Sequence, residues 1–331
     1  MKVLFIGGTG KISSACTALA VERGHDLYLL NRGQTDRPIP EGTTILNGDI
    51  YDPESARAAI GDHTFDVVVN FIAFTAEHIE FDLELFRDRT AQYIFISSAS
   101  AYQSPPVNLP VTESTPLDNP YWKYSQDKIA CEERLMQAYR EEKFPMTIVR
   151  PSHTYDKTML PFQGGWNVID RLRKGKKVIV HGDGSSIWVL THHADFAKGF
   201  VGLIGNNRAI GEAFHITSNE LLTWNQIHEI AARAAGAPKP QIVHVPSDLI
   251  NVFDPNGGVG LLGDKAVSMI FDNTKIKRIS PDFTGTISYE RGAQEVINWF
   301  DEDPARQIVD EEFDQLTDRI IAAYERVFEE I

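Results

Sequence analysis

The sequence predicts an α/β protein, a doubly wound parallel sheet followed by a smaller C-terminal substrate-binding lobe. Three observations carry that expectation. Short apolar runs alternate with helical stretches along the first 150 residues, the pattern of parallel strands joined by crossover helices. The first run closes on glycines that open a helix, the arrangement with which such sheets hold phosphate. Beyond Arg150-Pro151 the alternation stops, and glycine, proline and aromatic residues intersperse shorter elements. The expected boundaries are therefore 1–152 for the dinucleotide-binding part, with a returning segment at about 185–218, and 153–331 for the second lobe.

Val3-Leu4-Phe5-Ile6 reads as a strand buried on both faces. Ser13 to Arg23 is helical and stops at Gly24, a natural left-handed cap. Leu27 to Leu30, Thr44-Ile45-Leu46, Val67-Val68-Val69, Tyr93-Ile94-Phe95-Ile96 and Thr147-Ile148-Val149 are the further strands. Pro53 to Ile60, Glu77 to Arg87 and Tyr124 to Glu142 are the intervening helices. Right-handed crossovers then place ligands at the carboxyl ends of the strands. Within the second half, Ile187 to Phe200 and Ala213 to Ile216 read as segments that return to the sheet, and Pro304 to Ile331 as one amphipathic helix with an acidic face.

A chain of 331 residues buries a sizeable core. Its net charge of -14 speaks against broad, nonspecific binding to nucleic acid or an anionic membrane. There is no charged-then-apolar leader, no apolar stretch of membrane-spanning length, and only Cys16 and Cys131 as thiols. A soluble protein of a reducing cytoplasm is expected.

In "GGTGKIS", Gly7 permits a tight turn and Gly10 a close approach of backbone to a pyrophosphate, while the following helix offers free N–H groups. Lys11 and Ile12 border the loop, and Ser13 stands where a third glycine is usual; it is small enough for helix and strand to pack, with a hydroxyl available to the phosphates. Asn31-Arg32 ends the second strand, beside the expected adenosine ribose. A carboxylate there would repel a 2'-phosphate, whereas neutral Asn31 with Arg32 and Lys11 nearby leans towards NADP over NAD. Asp49, after the third strand, can accept from an adenine amino group; an Asn-Gly turn with a helix cap is the alternative.

"YSQDK" sets Tyr124 and Lys128 on one helix face. A neighbouring ammonium and a positively charged nicotinamide favour the tyrosinate, so the phenol can exchange a proton with a substrate hydroxyl while hydride moves; a solvated helix face is the other reading. "YIFISSASAY" ends a strand in Ser98, whose hydroxyl can meet the reacting oxygen. His192, His193 and Asp195 do not make a metal site, since adjacent residues rarely direct both side chains to one ion, and Asp195 reads as a helix cap.

Together these residues resemble the extended short-chain dehydrogenase/reductase family, NAD(P)-dependent epimerases, dehydratases and reductases with a Rossmann-type sheet. "GDIYD", "FISSASAY", "VRPSHTYD", "HGDGSS", "THHADFAKGF" and "FDNTKIKR" extend the resemblance over nearly the whole chain. It implies Ser98, Tyr124 and Lys128 as the catalytic set, Asp49 and Ile50 at the adenine, Phe71, Ile72 and Ala73 along the cofactor, and Pro151 at the nicotinamide carboxamide. It also implies a homodimer through Glu77 to Arg87 and Tyr124 to Glu142; Ile129 and Met136, seven apart, fit such a seam and fit packing on the sheet equally well.

The departures are equally informative. Ser13 is shared with an atypical branch that includes plant chloroplast stem-loop-binding proteins. Ala99-Ser100 replaces the Asp-Glu pair of 4,6-dehydratases, which disfavours that reaction. Trp188 replaces an arginine that holds a substrate diphosphate, and His153 stands where asparagine often touches substrate. Ser100, His153 and Trp188 are thus the substrate-side candidates. The expected activity is epimerisation or reduction at a hydroxyl of a sugar or nucleotide sugar with NADP or NAD; the alternatives are an RNA-binding or nuclease protein and a non-catalytic NADP sensor.

Overall fold

The computed structural model describes residues 1–329. Strands Lys2–Ile6 (β1), Asp26–Asn31 (β2), Thr44–Asn47 (β3), Phe65–Asn70 (β4), Thr90–Ile96 (β5) and Met146–Pro151 (β6) alternate with helices Ser13–Glu22 (α1), Pro53–Ile60 (α2), Ala76–Phe86 (α3) and Lys123–Glu142 (α4). The second half contributes Thr154–Tyr155 (β7), Trp166–Arg173 (α5), Lys177–His181 (β8), Ile187–Trp188 (β9), Thr191–His192 (β10), His193–Val201 (α6), Ala213–Ile216 (β11), Leu222–Thr223 (β12), Trp224–Ala234 (α7) and Gln241–Val245 (β13). Helices Ser247–Phe253 (α8), Pro255–Gly260 (α9), Thr274–Ile279 (α10), Tyr289–Asp301 (α11) and Glu311–Glu329 (α12) complete it.

Seven parallel strands form the central sheet in the order β11-β6-β5-β4-β1-β2-β3. The pleat explains why the strand centres are apolar runs, as in Val3–Ile6, Val67–Val69 and Tyr93–Ile96: alternate residues serve opposite layers. Val3, Phe5, Val67 and Val69 pack with Cys16, Ala20, Phe196 and Phe200 of α1 and α6. Leu4, Ile6, Val68 and Phe95 pack with Ala56, Leu83, Cys131 and Leu135 of α2, α3 and α4. Both thiols are buried and free. The strand order reverses between β1 and β4, so a crevice opens above their carboxyl ends.

The second lobe has its own core of Tyr155, Trp166, Trp188, Trp224, Tyr289 and Phe300. Of the two segments expected to return to the sheet, α6 and β11 do so, but β9 does not; it pairs antiparallel with β12. Trp188 is drawn into the second core by stacking on Trp224, ring centroids 6.0 Å apart. Nor is the C-terminal stretch one helix. Pro304–Arg306 forms a short turn, and α12 starts afresh where Asp310 Oδ1 accepts from Phe313 N–H at 3.0 Å. Glu330 and Ile331 lie outside the described residues. No described helix is long and apolar enough to cross a membrane.

Ion pairs link the first half of the chain to the second: Arg23 meets Asp282 at 2.7 Å, and a more buried pair lies nearer the crevice. Arg37, in the loop after β2, reaches Asp156 at 2.5 Å and Thr158 Oγ1 at 2.9 Å, just beyond β7.

Candidate active site

The glycine loop forms one wall of a groove of about 310 Å³ over the crevice, bounded also by Asn31, Arg32, Asp49, Ile50 and Ile72. Gly7 sits at φ +82°, and a Cβ there would lie 2.7 Å from Ile72 Cγ2, so only glycine fits. Gly8 makes the close helix–strand approach: an added Cβ would strike Leu29, and Thr17 Oγ1 donates to its carbonyl at 2.7 Å. This leaves room for a side chain at Ser13. The sequence suggests a Ser13 hydroxyl available to the phosphates; instead it is engaged in the loop, donating to Gly7 O at 2.6 Å and accepting from Gly10 N–H at 2.7 Å. No side chain caps α1; Gly10 O takes the Ser14 N–H at 3.0 Å, and the start of the helix turns its positive end to the loop. The cradle and the uncapped helix fit a dinucleotide pyrophosphate.

At the ribose end, Asn31 is buried, with Nδ2 unpartnered in the protein. Arg32 leans to within 3.7 Å of Asp49 Oδ2. The helix cap falls to Asp52, which accepts from Glu54 and Ser55 N–H, so Asp49 stays on the groove. Lys11 is exposed and lies outside the groove lining.

A second, larger cavity of about 710 Å³ opens beyond the first, and Ile12, Phe71, Ser98, Tyr124, Lys128 and Pro151 all line it. One turn apart on α4, Tyr124 and Lys128 project together. Lys128 Nζ donates to Ala73 O at 2.7 Å and Ile96 O at 2.8 Å, tying α4 to the ends of β4 and β5, and lies 5.8 Å from the Tyr124 ring. Burial lowers the Lys128 pKa to about 8. The Tyr124 phenol is also buried, which raises its pKa, with Ser98 acting in the opposite direction. The depression expected from Lys128 is absent: burial sets the direction, Ser98 opposes it, and Asp264 and Cys131 add to it.

Two substrate-side expectations are corrected. Ser100 is buried behind Ser98, not in the cavity lining; its hydroxyl meets Ser98 Oγ and Ser125 Oγ at 2.8 Å each. Trp188 is 1% exposed and also absent from the lining, because its indole fills the second core. His153 does face the cavity, at φ +32°. Its Nε2 is buried without a partner, and burial together with Lys265 lowers its pKa to about 3.

His192, His193 and Asp195 diverge. His192 accepts from Ala194 N–H and so caps α6 itself, His193 Nδ1 faces Lys11 O, and Asp195 accepts from Ile287 N–H instead of capping the helix. Among the described residues no three His, Cys, Asp or Glu side chains gather as a metal site.

Sequence reasoning missed Trp122, His181, Asp264, Lys265 and the α12 residues Leu316 and Ile320, all on the cavity wall. Trp122 was visible two positions before Tyr124. The others arrive from the end of β8, a helical turn at 261–265 and α12, and carry no local spacing signal.

The profile of the NAD dependent epimerase/dehydratase family matches residues 3–217. The chloroplast stem-loop binding protein of 41 kDa b from Arabidopsis thaliana is 29% identical over 73% of this chain, and the match spans 65% of that protein's own length. 2'-Dehydrokanamycin reductase of Streptomyces kanamyceticus is 24% identical over 72% of this chain and 68% of its own. Among solved structures, an epimerase of Methanothermobacter thermautotrophicus superposes with TM-score 0.76 at 18% identity, covering 92% of this chain and 93% of its own. UDP-glucose 4-epimerase of Bifidobacterium longum, in complex with NAD+ and UDP, gives 0.72 at 18% identity over 92% and 99%. At such identities the superpositions show the fold.

Proposed function

Because the chain belongs to the NAD dependent epimerase/dehydratase family, we propose that it oxidises, reduces or epimerises a hydroxyl-bearing carbon of a carbohydrate-like substrate, with NADP preferred to NAD. The observation that carries this is the convergence of Ser98, Tyr124 and Lys128 on one cavity that also meets Ile12 and Pro151 from the dinucleotide side. When bound, the nicotinamide supplies the hydride acceptor or donor. Tyr124 exchanges the proton of the reacting hydroxyl, Ser98 hydrogen-bonds the same oxygen, and Lys128 holds the carbonyls of Ala73 and Ile96 in place. The preference for NADP is supported by neutral Asn31 and by Arg32, which would exchange Asp49 for a 2'-phosphate.

No carboxylate stands at Ala99 or Ser100, which supports redox chemistry over dehydration. An RNA-binding role is disfavoured by the net charge of -14, and a purely sensing role by the presence of all three reaction-site residues. A homodimer through α3 and α4, where Ile129 and Met136 are half-buried, belongs to the same proposal and is checked by sedimentation.

The decisive experiment is titration of purified protein with NADP(H) and NAD(H), combined with Tyr124→Phe. Turnover should fall by about 10²–10⁴-fold while dinucleotide affinity stays within about threefold; binding of neither dinucleotide would overturn the proposal. Arg32→Ala should weaken NADP about tenfold more than NAD, and equal losses would remove the preference.

A further inference from the structure

Beyond Tyr124 the cavity runs past Trp122 and Phe162 to Ile250 of α8 and Leu316 and Ile320 of α12. Leu160, Val178, Ile250, Phe313, Leu316 and Ile320 give this far half an apolar wall, and it is firmly built. The Phe313 ring occupies the place a Cβ on Gly164 would take, so α12 seats directly on the loop before α5. Gln163 lies in the same way against Gly257 of α9 and donates to Asp254.

The charges of the cavity are already engaged. Lys265 lies 2.7 Å from Asp264. Arg171 is buried between Asp314 and Asp318 at 2.6 Å each, with Lys177 O at 2.8 Å. Asp254 accepts from Gln163 and Gly257 N–H and has no ion pair among the described residues. A nucleoside diphosphate sugar would bring two negative charges beside Lys265 and Arg171, both already paired with carboxylates, and near Asp254, which repels them. Trp188, buried against Trp224, adds no cation.

We infer that this far half is a subsite for an apolar appendage, and that the substrate is a phosphate-free glycoside or similar polyol whose reacting hydroxyl meets Tyr124 while its apolar group lies along α12. This rests on the oxidoreductase proposal and narrows it. Each methylene buried there should raise affinity roughly fourfold.

The test is calorimetric titration of the purified chain with methyl and n-octyl β-D-glucopyranoside, the latter below its micelle concentration, and with UDP-glucose; NADP binding is measured on the same samples. Octyl glucoside should bind at one site, at least a hundredfold tighter than the methyl glycoside and with a negative heat-capacity change. UDP-glucose should not saturate. Leu316→Asn should weaken octyl glucoside at least tenfold and Leu316→Ala less, both with NADP affinity within twofold, which also certifies the fold. The inference is overturned if UDP-glucose saturates more tightly than octyl glucoside, if the two glucosides bind alike, or if both Leu316 variants bind octyl glucoside as the parent does. Absence of NADP binding with glycoside binding intact would instead overturn the oxidoreductase proposal and leave the subsite standing.

Discussion

Ser13 fastens the glycine loop by bridging the Gly7 carbonyl and the Gly10 N–H. Ser13→Ala leaves both groups without that partner, and at about 1 kcal/mol for each of the two lost hydrogen bonds dinucleotide affinity should fall by up to about thirtyfold in a fluorescence titration. An unchanged affinity would mean the loop keeps its shape without the bridge. The buried histidines make a second residue-scale prediction. Burial lowers His153 to about 3 and His181 and His228 to about 4, so all three stay neutral in the folded chain while the unfolded chain takes up protons below about 6.5. Their contribution to stability is complete above pH 6.5 and is lost as pH falls towards 4. Urea unfolding at pH 7 and pH 5 should show about 2 kcal/mol less loss in His228→Phe than in the parent; an identical loss would exclude His228 as a source. At this scale Ser98, Tyr124 and Lys128 were legible because a strand end and one helix turn fix where they point. Ser100 and Trp188 were not, because position along a chain does not say which side of a two-residue strand or a tight turn faces a ligand.

Helix α4 carries two of the three candidate catalytic side chains, Tyr124 and Lys128, and two buried contacts help set its seat on the sheet. One is Lys128 on the strand ends; the other is Glu132, which holds Arg150 of β6 through bonds of 2.5 and 2.9 Å. Both partners are nearly inaccessible. Glu132→Ala strands a buried guanidinium and should cost about 3–5 kcal/mol in chemical denaturation; a cost below about 1 kcal/mol would mean the helix is seated by packing alone. The apolar runs that alternate with helices were readable element by element, since burial on both faces keeps the centres of β1, β4 and β5 apolar. The breaks at β9 and before α12 were not readable. A two-residue strand has no period, and Asp310 caps a helix that the apolar spacing alone continues through.

For the molecule as a whole, the Arg37–Asp156 strap joins the loop beside the ribose groove to the second lobe. Asp156 is buried, and its hydrogen bonds with Thr158 and Arg37, together with the Arg37 charge, outweigh burial to keep its pKa below the usual carboxylate range. Asp156→Asn should raise the dissociation rate of bound dinucleotide about three- to tenfold in stopped-flow displacement; an unaltered rate would show that the strap does not gate exchange. The double-wound class followed from the alternation of elements, but the strap, the cavity and the α12 wall join residues more than a hundred positions apart, and no local periodicity records such pairs. The returning strand has a last consequence. β11 covers the edge of β6 from Ile148 to Pro151, yet it lies beyond all of β7 to α6 in the chain. During synthesis the edge of β6 therefore emerges unpaired and waits, open to other strands, until residue 216 has cleared the ribosome. A gene cut after residue 152 would make that wait permanent, yielding an aggregating fragment in place of a portable cofactor module.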